Sequence, residues 1–236
     1  MNVIIPAILP TSRADLEAKI AALVGLTGAV QIDVIDGKFV PPASWPYLSP
    51  NESFAEGEMF PYLDKIHYEM DLMVNAPEIV AGSWIEAGAQ RLTLHVESTN
   101  YLSKTVTELE VKYGHAKDFA PNLISLGLAI NIGSDLSVLD PYIDHVDYVQ
   151  FMGIATIGKQ GEPFDKRVLR KIALLKNKYP QLLIQVDGGV SLMTAPALLT
   201  AGVDRLIVGS ALWRAPNLAE ELQKFNDLVQ EYGIYS

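Results

Sequence analysis

Three stretches of the chain share one plan: "LTGAVQIDV" (26–34), "AGAQRLTLH" (87–95) and "AGVDRLIVG" (201–209). Each has a glycine, a small or apolar residue, one or two polar residues, and then a run of strand formers. A glycine behind an amphipathic segment stops a helix, because it accepts the left-handed conformation just past the last helical residue. A strand that begins at once makes a short helix-to-strand connection, and such units recur in barrels and doubly wound sheets.

Reading outward from these anchors gives strand candidates near 3–9, 29–35, 66–74, 91–97, 123–131, 146–152, 182–187 and 204–208. Helical patterns lie between them, as in "RADLEAKIAALVGL" (13–26), "NAPEIVAGSWIEAG" (75–88) and "DKRVLRKIALLKNKY" (165–179). Asn75, with Pro77 in the first turn, and Asp165 stand where caps are expected. Eight strands alternating with helices favour a single (β/α)8 TIM barrel over residues 1–236, with a doubly wound sheet as the alternative. No linker divides the chain. Residues 38–65, rich in Pro, Ser and aromatics with a weak helical pattern near 53–64, read as a functional loop or lid.

Charge and composition bound what such a fold can meet. A net charge of −10 argues against nucleic-acid partners, whose phosphates are met by basic surface. It leaves open a small phosphorylated ligand, since backbone N–H groups can hold a phosphate without Lys or Arg. The absence of cysteine excludes disulfides, thiolate nucleophiles and Cys-based metal sites. "MNVIIPAILPTSRAD" has neither a basic n-region nor a long apolar core, and "LISLGLAINI" (123–132) is too short to span a bilayer. A cytoplasmic protein with no membrane partner is the expectation.

In a barrel, chemistry sits at the C-terminal strand ends, and residues of one parity point inward. In "QIDVIDGKFV" (31–40) that parity groups Gln31 and Asp33, and Asp36-Gly37 makes the turn that follows. The third strand offers His67, Glu69 and Asp71; the fourth offers Thr93, His95 and Glu97; the seventh ends on Asp187. Buried carboxylates are costly unless each finds a proton, a cation or donors. Asp33 and Asp187 therefore read as a site, while Glu69, His95 and Glu97 divide between a site and a hydrogen-bonded polar layer. His67 falls roughly 13 Å below Asp71 at about 3.3 Å per residue, too far to pair with it. His115 and His145 sit in loop-like, solvated contexts.

Glycine forms the second cluster. "DGGV" (187–190) follows the seventh strand and "VGSALW" (208–213) the eighth, with Gly209-Ser210 opening a short helix. Close backbone approach to a phosphate needs residues without Cβ, and barrels hold phosphates at these two loops.

Taken in order, "PAILPTS" (6–12), "DVIDGKFVP" (33–41), "MDLMVNAPE" (70–78), "LTLHVES" (92–98), "GLAINIGSDLSVLDPYIDHVDYVQFM" (127–152), "VDGGV" (186–190) and "VGSALW" resemble the ribulose-phosphate 3-epimerase family over most of the chain. The resemblance implies a (β/α)8 barrel that epimerises pentulose 5-phosphates at carbon 3 in the pentose phosphate branch of carbohydrate metabolism. It implies Asp33 and Asp187 as the two proton-transfer residues, Gly158, Gly188, Gly189, Gly209 and Ser210 for the sugar phosphate, and a homo-oligomer. A divalent metal stabilises the ene-diolate in the family, and its ligand positions here are Gln31, Asp33, Asp71 and Asp187. Met73 and Met152 match methionines near that metal, and Ile35 replaces a third.

The metal positions depart from the family pattern: Gln31 and Asp71 stand where it has histidines. The lid "MGIATIGKQGEPF" (152–164) keeps Gly158 and Gly161 with Lys159 and Gln160 but not the family's "NPGFGGQ", and Pro10 stands where a substrate-contacting serine is common. Three carboxylates within a few ångströms cannot all stay ionised unaided. Either an all-oxygen site takes Mg2+ or Mn2+ in preference to Zn2+ or Fe2+, or no metal binds and a protonated Asp71 donates to the ene-diolate. Two further readings stay open: a sugar-phosphate decarboxylase, disfavoured because Lys38 comes past the turn and no "DxKxxD" follows a strand, and a barrel that binds a phosphosugar without turnover.

Overall fold

The computed structural model describes residues 3–48, 59–113 and 124–233. Eight parallel strands close in sequence order into a barrel: β1 (Ile4–Ile8), β2 (Ala29–Ile35), β3 (His67–Met73), β4 (Ala89–His95), β5 (Ser125–Ile130), β6 (Tyr148–Met152), β7 (Leu183–Asp187) and β8 (Arg205–Val208). Closure runs through Ile4–Leu206, Ile5–Ile207 and Pro6–Val208, which excludes the doubly wound alternative. Helices α1 (Arg13–Leu23), α2 (Ala81–Glu86), α3 (Leu102–Tyr113), α4 (Arg167–Lys178), α5 (Ala195–Thr200), α6 (Ser210–Trp213) and α7 (Leu218–Tyr232) lie between or after the strands. The described link from β5 to β6 holds two 3-10 turns, Leu136–Leu139 and Ile143–His145. Among the described residues no helix is long and apolar enough to cross a membrane.

The strands form because both of their faces are buried, so apolar runs are favoured on the side that meets the helices. Ile32 and Val34 of β2, Met70 and Leu72 of β3, and Leu92 and Leu94 of β4 share one core with Leu16, Ile20 and Trp84 of the helices. Each such side chain stabilises the fold by about 1.5–3 kcal/mol. Local signals set the ends: the Ser12 hydroxyl accepts from Asp15 N (3.0 Å) to cap α1, and Asn217 caps α7.

Several expected boundaries shift. At the first repeated unit the left-handed glycine is Gly25 (φ 85), just before the stretch begins, not Gly28 within it; Gly88 and Gly202 take that role inside the other two. The helix expected over 75–88 is a 3-10 turn, Pro77–Ile79, followed by α2, and Asn75 caps neither. Its N–H is tied instead to Asp36 Oδ2 (2.9 Å), and Ala76 is left-handed (φ 58), which breaks the helical phase. Asp165 does serve the start of α4, through Arg167 N (3.0 Å). Of the 38–65 segment, 49–58 lie outside the described residues, as does His115; residues 61–65 are turns.

Candidate active site

Alternate residues of each strand turn into the barrel, and register stacks them in two polar tiers. The lower one centres on Glu69, aligned with Gln31 on β2 and Arg91 on β4. Its carboxylate is buried and accepts from Arg91 Nε (3.1 Å) and from both terminal nitrogens of Arg205, Nη1 at 2.8 Å. Arg91 and Arg205 both reach Gln185 Oε1 (3.2 Å each). The Tyr148 ring fills the space a side chain at Gly127 would need, and the Arg91 guanidinium lies 3.9 Å from its centroid. Glu69 thus belongs to a structural floor of one acid and two guanidinium groups.

The upper tier lies at the strand ends. Oxygens of Asp33 (β2), Asp71 (β3) and Asp187 (β7) come within 4.8 Å of one another, all in buried surroundings. Gln31 Nε2 donates to both Asp33 Oδ1 (3.0 Å) and Asp187 Oδ2 (2.7 Å), while its Oε1 is buried with no partner. Asp71 accepts from Gln150 Nε2 (2.8 Å) and pairs with His95 Nε2 (2.9 Å). Gln150 Oε1 in turn accepts from Gln185 Nε2 (2.6 Å), so one polar chain joins floor to site. Among the described residues no Lys or Arg pairs with any of the three carboxylates.

Burial, with Asp71 beside it, pushes Asp187 up to about 7. Burial also raises Asp33 well above the ordinary carboxylate range, and Asp187 and Asp71 add to this; only the Gln31 donor opposes it. For His95 burial works downward, but Asp71 outweighs it and the imidazole is raised. Its Nδ1 is buried without a partner, and Phe39 from the loop after β2 covers the ring at 5.4 Å.

A narrow cleft of about 50 Å3 opens above Asp33 and Asp187. Ile35, Met73 and Met152 line its apolar side, and Gly158, Gly188, Gly189, Gly209 and Ser210 lie around the rest. The glycines are needed chiefly for close packing of the lid over 153–164. A Cβ at Gly188 would meet Ile154 Cγ1 at 2.8 Å, and one at Gly189 would meet the Phe164 backbone at 2.7 Å. Both glycines have positive φ, 94° and 69°, and the Thr194 hydroxyl holds Gly189 O at 2.9 Å. Gly158 (φ 90) packs under Val40 and Pro41. Trp213 Nε1 anchors α6 to Ala7 O (2.6 Å), but α6 is a single turn and brings little helix dipole.

Other expected residues lie elsewhere. β4 ends at His95, so Glu97 leaves the inward parity, is exposed, and accepts from Asn131 N (2.9 Å) and Ser134 Oγ (2.5 Å). His67 is exposed at the opposite barrel end beside Gln90, and His145 pairs with Glu110 (3.1 Å) at the surface. Pro10 does not reach the cleft; its carbonyl accepts from Trp45 N (3.0 Å), and Ala7 and Leu9 line the cleft instead. Sequence reasoning missed Gln150 and Gln185. Their signal was available: each is the lone amide in an apolar strand, at the parity of Met152 and Asp187.

The sequence matches the Ribulose-phosphate 3 epimerase family over residues 3–213. Among curated relatives, a ribulose-phosphate 3-epimerase of Aquifex aeolicus is 24% identical, covering 97% of each chain. A chloroplastic ribulose-5-phosphate-3-epimerase of Arabidopsis thaliana is 30% identical over 94% of this chain and 75% of its own. In fold, the chain is similar to the crystal structure of a 3-keto-L-gulonate-6-phosphate decarboxylase from Vibrio cholerae, with a TM-score of 0.68, 14% identity and 98% of both chains covered.

Proposed function

The chain belongs to the ribulose-phosphate 3-epimerase family, and from that premise we propose that it inverts carbon 3 of a pentulose 5-phosphate by proton transfer between Asp33 and Asp187. One observation carries this reading: two buried carboxylates of raised affinity for protons, from β2 and β7, share a single Gln31 amide at the floor of the cleft. Inversion needs an acid and a base on opposite faces of a planar intermediate. A pair that cannot both ionise keeps one proton and one vacancy, the state such a transfer starts from.

The C3–H bond breaks toward the ionised carboxylate, and its electron pair moves to the carbonyl oxygen at carbon 2, giving an ene-diolate. The protonated carboxylate then delivers its proton to the other face, the carbonyl re-forms, and the two aspartates have exchanged roles. Met73, Met152 and Ile35 keep water from the reacting carbon.

The donor set fits a hard divalent cation: three carboxylates within 4.8 Å and the partnerless Gln31 Oε1. Asp33, Asp71, Asp187 and Gln31 would hold it, with Mg2+ or Mn2+ preferred over Zn2+ or Fe2+. Bound there, such an ion stabilises the negative charge of the ene-diolate. Gln150 Nε2 donates to one Asp71 oxygen and His95 Nε2 pairs with the other, an arrangement that supports a ligand role for Asp71. Lys38 is exposed beyond the turn and does not line the cleft, so it is not placed to assist a decarboxylation.

Incubation with ribulose 5-phosphate in D2O, with and without Mn2+, tests the reading by mass spectrometry of the recovered sugar. Deuterium at carbon 3 is expected. Binding without exchange under any divalent metal would replace the epimerase with a phosphosugar-binding barrel.

A further inference from the structure

Two glutamines and two arginines fix a direction inside this barrel. A side-chain amide can turn either end to a neighbour, but a guanidinium only donates. Arg91 Nη2 and Arg205 Nη1 both point at the Gln185 amide, 3.2 Å away, so the end that meets them is Oε1 and Nε2 faces onward. That nitrogen lies 2.6 Å from Gln150, which must present its Oε1 and carry its own Nε2 further up. The next contact is Asp71 Oδ2 at 2.8 Å, with Met152 Sδ at 3.6 Å from the same nitrogen. Turning either amide round would set donor against donor below or carbonyl against carboxylate above. Both amides are buried, so a mispaired end would go unsatisfied. The direction is therefore dictated in the lower tier and delivered in the upper one. Hydrogen bonds aligned in series also polarise one another. His95 Nε2 holds the other Asp71 oxygen at 2.9 Å, so the carboxylate plane is pinned at both ends.

We propose that Gln150 is a positioning residue: with Gln185 it forms a one-way relay of donors from Arg91 and Arg205 to Asp71, and so presets that carboxylate for a divalent cation. The inference rests on the cation reading of the upper tier. It adds that the guanidinium pair below helps to set affinity for the ion through two amides.

Calorimetry of Mn2+ binding to the full chain, beside thermal unfolding and carbon-3 exchange, tests this. Gln150→Leu, close in size but without the amide, is expected to weaken Mn2+ binding about 10–100-fold, the usual loss when a metal ligand is deprived of its supporting hydrogen bond. Gln185→Glu tests the direction without touching Asp71, and decides the matter even if Gln150→Leu folds poorly. The new carboxylate accepts from both guanidinium groups and turns an oxygen to Gln150, whose amide must flip and set its Oε1 against Asp71. Mn2+ binding should fall by a similar factor while the unfolding temperature does not, because the shape is kept and two arginines gain a charged partner. In the Gln150→Leu background the same exchange should add little. A packing role alone predicts no loss of Mn2+ affinity in Gln185→Glu. That result, an equal further loss in the double variant, or a parent chain that takes up no Mn2+ overturns the proposal. Carbon-3 exchange is scored separately: Mn2+ binding that depends on both glutamines, without exchange, would refute the epimerase and leave the relay standing.

Discussion

The barrel encloses two tiers of buried charge built on opposite plans. In the lower one, a single carboxylate, Glu69, is met by Arg91 and Arg205, and their remaining donors reach Gln185 and Ser125. In the upper one, Asp33, Asp71 and Asp187 crowd together with only amides and one imidazole for company. A few ångströms of strand separate them, yet charge is compensated below and left uncompensated above. Burial without compensation raises proton affinity, which a structural core has no use for and an acid–base site requires. The contrast therefore separates scaffold from chemistry more sharply than burial or polarity alone.

The largest expected effects come from exchanging the two plans. Asp33→Asn or Asp187→Asn should lower carbon-3 exchange by about 10²–10⁴, the usual contribution of a positioned acid or base. Neither should cost stability in urea denaturation, because each removes a repulsive charge; a large destabilisation would mean that the upper tier is structural after all. Glu69→Leu should do the reverse, destabilising the fold by about 3–5 kcal/mol in the same measurement because it strands two guanidinium groups. Residual folded protein should keep its exchange activity, since Glu69 touches neither aspartate.

The pH dependence of stability sharpens the comparison. An ordinary Asp titrates at 3.8, whereas Asp187 holds its proton to about 7 in the folded chain and Asp33 is raised as well. Between those values the folded state binds more protons than the unfolded one, so stability should fall as pH rises from about 4 to about 7. Thermal unfolding across that window checks the sign, and Mn2+ should flatten the fall if the carboxylates share the ion. The smallest effect belongs to Tyr148, whose hydroxyl pairs with Thr93 (2.8 Å) and Leu92 O (3.1 Å). Tyr148→Phe should cost about 1 kcal/mol of stability and leave exchange at carbon 3 unchanged.

Much of this was legible in the sequence because local rules carry it. Helix-stopping glycines before strand formers mark the repeated unit, and strand parity aims Asp33 inward and Asp187 at the end of β7. The failures lie where tertiary partners decide. Glu97 has the right parity, but β4 ends two residues earlier, and no local signal says so. Asn75 has the capping residue type, yet Asp36, on the loop after β2, claims its N–H. Glu69 could not be assigned to the floor from its own strand, because Arg205, the residue that neutralises it, arrives 136 positions later. Gln31 illustrates the same limit from the other side: only the closed barrel shows one amide serving two aspartates.

The Tyr148 ring lies across the interior where Gly127 leaves room, with the Arg91 guanidinium against its face. Gly127 and Tyr148 are thus one size-matched pair: any side chain at 127 would evict the ring on which the guanidinium layer rests.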